Sequence, residues 1–161
     1  MGVENEIAKQ WGYSRARGAT VAPVLDVAIY AAGDVLFDTT IMPGIMPLAG
    51  GSLELRSIEV LDENNQGVAL DVVFLDSAVS LGAFNVPPAL TPVQARSILG
   101  IVSVPAANFI TLNTARIATV QNIGLVLQAL AAAQDLYVAA ITRGGTPTYT
   151  AAGLKLKFGF Y

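Results

Sequence analysis

The chain of 161 residues is 53% hydrophobic and only 13% charged, carries a formal net charge of −3, and contains neither Cys nor His. Those two absences exclude disulfide scaffolds, zinc fingers, iron–sulfur clusters, Cys or Ser–His nucleophiles and imidazole metal sites. The length suits one domain with a substantial core, and the apolar content excludes disorder throughout.

Residues 1–19 mix Glu4, Glu6, Lys9, Arg15 and Arg17 with Trp11 and Tyr13 and show no sustained apolar period. They read as an N-terminal arm that orders on a partner or against its own domain. Trp11, Tyr13, Arg15 and Arg17 are its candidate contact residues, because Trp, Tyr and Arg dominate interface hot spots. Residues 20–161 form the expected single domain. Val21–Tyr30 reads as a strand ending in the turn Ala31-Ala-Gly-Asp34, and Val35–Thr40 as a second short strand. Ile41–Ser52, with two Pro and three Gly, must be a loop. In Leu53–Leu61 the apolar positions change phase, as a β-bulge near Arg56 and Ser57 would require. Turn residues 62–67 then separate this run from Val68–Leu75, and the pair reads as a hairpin.

Further along, Thr91 as N-cap and Pro92 at the first helical position predict one short helix to Ile98. Strands are expected at Ile101–Val104, Phe109–Leu112, Arg116–Val120, Gly124–Leu130, Leu136–Thr142 and Leu154–Phe160. Leu125–Ala133 has the propensity for a helix, but Gly124 and Asp135 leave room for barely three turns, so a strand is kept there. In the last strand Leu154, Leu156, Phe158 and Phe160 alternate with Lys155, Lys157 and Gly159, the period of one buried face. Eight to ten short strands at such spacing predict an all-β, antiparallel β-sandwich, jelly-roll-like, with one short helix and an extended arm.

The mean hydropathy of +0.57 raises the question of a membrane. The longest uncharged runs, 77–95, 97–115 and 117–134, are broken by Pro or carry several Asn, Gln and Thr. None reads as a spanning helix, no secretory signal is visible at the acidic amino terminus, and no membrane partner is expected. Charge is unevenly placed. Residues 1–76 hold four cations against eleven carboxylates, whereas residues 77–161 hold five cations against Asp135 alone. Five scattered cations and a pI near 4.7 do not make a nucleic-acid footprint. A surface this poor in charge instead predicts coverage by another protein chain, and thus a homo-oligomer.

Few residues suggest chemistry. Asp62, Asn64 and Gly67 match the first, third and sixth positions of a calcium loop, but Val73 stands where a bidentate Glu belongs; a polar turn explains the segment. Asp26, Asp34, Asp38, Asp71 and Asp76 offer carboxylates for acid–base work, yet no spacing selects a pair, and an enzyme is not expected. Neither a metal nor a cofactor is expected. Arg143, Pro147 and Tyr149 lie on an exposed-looking segment that reads equally as a contact loop or a long hairpin connection. A lectin-like sandwich showing residues 143–150 to a glycan is the alternative from another class.

Three segments carry a resemblance: Tyr30-Ala-Ala-Gly-Asp-Val-Leu36, Leu55-Arg-Ser-Ile-Glu-Val-Leu-Asp-Glu-Asn-Asn-Gln-Gly67 and Leu136-Tyr-Val-Ala-Ala-Ile-Thr-Arg-Gly-Gly-Thr-Pro-Thr-Tyr149. Their succession over residues 20–160 resembles a family of small virion structural proteins of tailed bacteriophages. That resemblance implies a β-sandwich auxiliary head protein, a cement or decoration protein on the capsid surface. The implied partners are the major capsid protein and further copies of the chain, as a dimer or trimer. A neck or tail position in the same virion is the alternative it leaves open.

Overall fold

The computed structural model describes residues 16–161. Among the described residues nine strands form two antiparallel sheets: β1 (Arg17–Val21), β2 (Val35–Met42), β3 (Ser52–Asp62), β4 (Leu70–Leu75), β5 (Ile98–Val104), β6 (Phe109–Leu112), β7 (Ala115–Gln128), β8 (Leu136–Thr142) and β9 (Leu154–Phe160). The five-stranded sheet runs β1-β9-β3-β7-β6 and the four-stranded sheet β2-β8-β4-β5. First and last strands pair, then second with eighth, third with seventh and fourth with fifth, as if one long ribbon had been folded over itself. This nested pairing is the jelly roll, with β6 added at one edge.

Alternation along the strands builds the core. β9 buries Leu154, Leu156, Phe158 and Phe160 while its intervening residues face outward. Phe158 meets Phe74 of β4 edge-to-face, with centroids 5.5 Å apart and planes at 78°, so this pair stitches one sheet to the other. In β4 and β8 nearly every residue is buried. The cause is a second, smaller core on the outer face of the four-stranded sheet, where Val35, Val73, Leu75, Ala139 and Ile141 pack with Leu81. Residues 76–97 cross this face as a strap. The Leu81 and Ser80 donors reach the Asp38 carboxylate at 2.7 and 2.6 Å, and the Val35 N–H reaches the Val86 carbonyl at 2.8 Å. Strands covered on both faces lose the simple alternation.

Four expectations need correction. Arg17, Gly18 and Ala19, read as part of the arm, pair with Phe160, Gly159 and Phe158 and open β1. The run 22–30 is not a continuation of that strand: Pro23 lacks a donor, and only Ile29 bridges, to Thr148. Residues 62–67 are not a hairpin turn, since β3 pairs with β7 and β9 whereas β4 pairs with β5 and β8 in the other sheet. The predicted helix shrinks to a 3-10 turn at Gln94–Ser97. Thr91 does exchange bonds with Gln94, its amide reaching the Gln94 Oε1 at 2.9 Å and its Oγ1 accepting the Gln94 N–H at 3.3 Å, but no further turn follows.

The bulge between Leu55 and Ser57 is present in the register of β3 with both neighbours. Opposite it, β7 continues as one strand through Asn122 and Gly124, whose φ values of 57° and 71° place them in the left-handed region. Among the described residues no helix is long and apolar enough to cross a membrane.

Candidate interaction surfaces

The turn after β3 and the loop before β9 make one clasp. Asp62 is fully buried, and its carboxylate accepts the Asn64 N–H at 3.0 Å and the Gly67 N–H at 2.7 Å. Asn64 Oδ1 accepts the Thr150 amide at 2.9 Å and its hydroxyl at 3.1 Å, while Gln66 Oε1 accepts the Thr148 amide at 3.2 Å. Arg116 Nε donates to Asn65 Oδ1 at 2.7 Å. The oxygens of this turn are thus engaged by protein donors, as a polar turn requires. No group of three or more candidate metal ligands occurs among the described residues.

Behind the clasp, Pro147 and Tyr149 are buried, so this part of the loop is not the exposed contact segment its composition suggested. Tyr149 stands edge-on to Tyr30, with centroids 6.2 Å apart and planes at 66°. Tyr30 Oη accepts the Asp26 N–H at 2.7 Å and donates to the Leu36 carbonyl at 3.1 Å. Burial holds both phenols above the ordinary tyrosine pKa, and the Asp62 carboxylate adds to the effect at Tyr149. Arg143 is exposed but committed: its Nε lies 2.6 Å from Asp71 Oδ2, whose other oxygen takes the Ser103 hydroxyl at 2.6 Å.

The outer face of the five-stranded sheet is the charged one. Lys157 pairs with Glu59 at 2.7 Å and Lys155 with Glu63 at 2.6 Å. Thr20, Lys157, Glu59 and Thr119 form one row across β1, β9, β3 and β7. Such pairs keep a face solvated and add little stability. Gly18 and Gly159 leave a shallow depression of about 440 Å³ beside that row. A Cβ at Gly159 would sit 2.5 Å from Ser57 Oγ, so packing alone accounts for that glycine.

Other surfaces are poor in charge. Residues 43–53 and 121–134 contain no Asp, Glu, Lys or Arg, and the fold brings them to one corner. Tyr161 exchanges both backbone bonds with Glu54 at 2.9 Å, and Glu54 stands opposite Val126. The Gly51 carbonyl accepts the Ala129 N–H at 3.0 Å, and the Gly50 N–H reaches the Ala133 carbonyl at 2.9 Å. On this corner Leu48 is 61%, Val126 63%, Leu130 49% and Tyr161 60% exposed. Arg56 lies over the Tyr161 ring at 5.9 Å and 3.3 Å from Glu54, so an aromatic–guanidinium pair borders the apolar area. The strap is a second such surface, since residues 77–95 lack charge and expose Phe84, Val86 and Val93.

Of the sequence-derived candidates, Arg17 lies at the Tyr161 end, where its Nη1 donates to the Ile45 carbonyl at 3.2 Å. It lines a groove of about 350 Å³ between β1 and residues 42–45. Arg143, Pro147 and Tyr149 lie at the opposite end, so the structure does not join them to Arg17. Trp11, Tyr13 and Arg15 lie outside the described residues. Leu48, Arg56, Val126, Leu130 and Tyr161 were missed by the sequence reading. The signal was present as two uncharged runs, but dividing the chain at Asp76 hid the fact that one of them precedes that point.

No family model matches the chain, and no curated protein matches it either. Among solved structures it is similar to the VP2 subviral particle of infectious bursal disease virus, at 17% identity over 91% of this chain and 33% of that chain, with a TM-score of 0.36. The Gt strain structure of infectious bursal disease virus gives 17% identity over 91% and 32% of the two chains and a TM-score of 0.37. This chain therefore spans about a third of those chains. Its assignment as a jelly-roll β-sandwich rests on its own strand order.

Proposed function

We propose that the protein is a non-enzymatic virion structural protein, a cement or decoration protein that binds the surface of a bacteriophage capsid and stabilises it. The observation carrying this reading is the grouping of exposed apolar side chains on surfaces poor in charge, where Arg56–Glu54 is the one ion pair among the described residues and the Lys155–Glu63 and Lys157–Glu59 pairs stand elsewhere. Interface cores are depleted of charge in this way, whereas a solvated surface intersperses both signs. The fold alone does not assign the role, because jelly rolls serve capsids, lectins and cupins alike. The resemblance over residues 20–160 to small virion proteins of tailed phages supports the narrower reading. A rigid body needs only modest contact energy per copy, since a symmetric shell repeats each contact many times.

The test is co-sedimentation of the purified protein with shells assembled from the major capsid protein alone. Saturable binding, together with a raised disruption temperature of the shells, is expected. Absence of binding at micromolar concentration would overturn the assignment.

A further inference from the structure

The corner, poor in charge, invites a definite occupant. Leu48, Val126, Leu130 and Tyr161 expose apolar area in a region where residues 43–53 and 121–134 supply no ionisable side chain. A partner laying charges on it would bury them without counterions, which is costly. The complementary surface must itself be largely uncharged, apart from groups that can meet the Arg56–Glu54 pair. Arg56 and Glu54 stand 3.3 Å apart on β3, both partly exposed, with Glu54 between Tyr161 and Val126. A neighbouring pair of opposite sign is self-complementary under a two-fold rotation, because each member can face its opposite on the other copy. Residues 77–95 of the strap are also uncharged and expose Phe84, but among the described residues no Arg–carboxylate ion pair falls within the strap to set an orientation.

We propose that this corner is a two-fold self-association surface: Leu48, Val126, Leu130 and Tyr161 of one copy pack on the same residues of a second, and Arg56 and Glu54 exchange partners across the axis. The inference deepens the reading of an assembly protein and rests on it. Self-association is measured on the isolated protein, so its outcome is independent of shell binding. Tyr161 and Arg56 supply the residue types that dominate interface hot spots, and the surrounding Leu, Val and Ala exclude water from them. An isologous contact closes on itself and stops at the dimer, whereas a corner-to-strap contact would propagate.

Sedimentation velocity of the full chain over a concentration series tests this. A monomer–dimer equilibrium without larger species is expected. Val126→Asp and Leu130→Asp, both at exposed positions, should each raise the dimer dissociation constant at least tenfold while leaving the thermal melt unchanged. Arg56→Glu should weaken the dimer, and combining it with Glu54→Arg should restore it. Val93→Asp on the strap should have no effect. A wild-type monomer at high concentration would overturn the proposal. So would growth beyond a dimer, or dissociation caused by Val93→Asp but not by Val126→Asp. Removal of residues 1–15 should leave the dimer intact; if it creates the dimer, those residues are the natural cover of the corner and the proposal fails.

Discussion

Asp62 and Gly67 hold the turn between the two sheets: a fully buried carboxylate accepts the Gly67 amide at 2.7 Å, five residues ahead of it. The contact turns the chain out of the five-stranded sheet and into the four-stranded one. Because Asn64 and Gln66 of the same turn hold the loop before β9, this one bend anchors a whole end of the sandwich.

Replacing Asp62 with Ala strands the amides of Asn64 and Gly67 in a buried place. Hydrogen bonds to a charged group contribute about 1.5–3 kcal/mol, so a loss in that range is expected in chemical denaturation. Gly67→Ala should also destabilise, because φ is +60° and an added Cβ would run into the Arg116 side chain. A stability equal to wild type in both variants would show that the bend is held by other contacts.

Alkaline pH should loosen the same end. Burial holds Tyr30 and Tyr149 above the ordinary tyrosine pKa of about 10 in the folded protein, so the folded state retains protons that the unfolded chain releases. The sign follows: stability is full below pH ~10 and falls as pH rises beyond it. Phenolate absorbance should show Tyr30 and Tyr149 ionising only with unfolding. Tyr149→Phe should reduce the slope of stability against pH above 10; an unchanged slope would contradict the burial argument.

Arg143 offers a contrast between visible and energetic contacts. Its ion pair with Asp71 is short, but the Arg143 side chain is 46% exposed. Arg143→Ala should therefore cost less than about 1 kcal/mol. Asp71→Ala should cost more, since Ser103 loses its acceptor as well. Urea titrations of the two variants decide the order.

Across the sheets, Phe74→Ala removes one half of the edge-to-face pair with Phe158. A loss of about 3–5 kcal/mol is expected for a large core aromatic. The midpoint of thermal unfolding should fall accordingly, and a small shift would mean that the two sheets are joined mainly elsewhere.

How far the sequence reaches is clearest at β8 and β9. Both were bounded correctly from β-rich runs between turn residues, and the bulge at Arg56 was readable from one change of phase. The connection at 62–67 was not readable, and the reason is physical. Period-2 alternation reports that a residue faces the core, but the inner faces of both sheets in a sandwich carry the same alternation. Asp, Asn and Gly close a hairpin or an inter-sheet bend with the same local bonds. β7 reads from sequence as two strands, Arg116–Val120 and Gly124–Leu130, whereas the left-handed Asn122 and Gly124 are absorbed in a bulge of one continuous strand. The burial of Pro147 and Tyr149 escapes the sequence for a similar reason: Pro and Tyr between threonines look like a surface loop, and the threonines do stay exposed while the Asn64 clasp folds Pro147 and Tyr149 inward. At the corner, composition revealed the missing charge, and only the strand order placed the two uncharged runs side by side.

Electron cryomicroscopy of the virion is the most direct test of the central claim that uncharged surfaces are buried by neighbouring subunits. The account predicts jelly-roll density on the shell, with the Leu48–Tyr161 corner or the strap against other chains and the Glu59–Lys157 row facing solvent. A virion lacking this density, or a subunit that turns its charge-free surfaces to water and buries that ion-paired row, would contradict it.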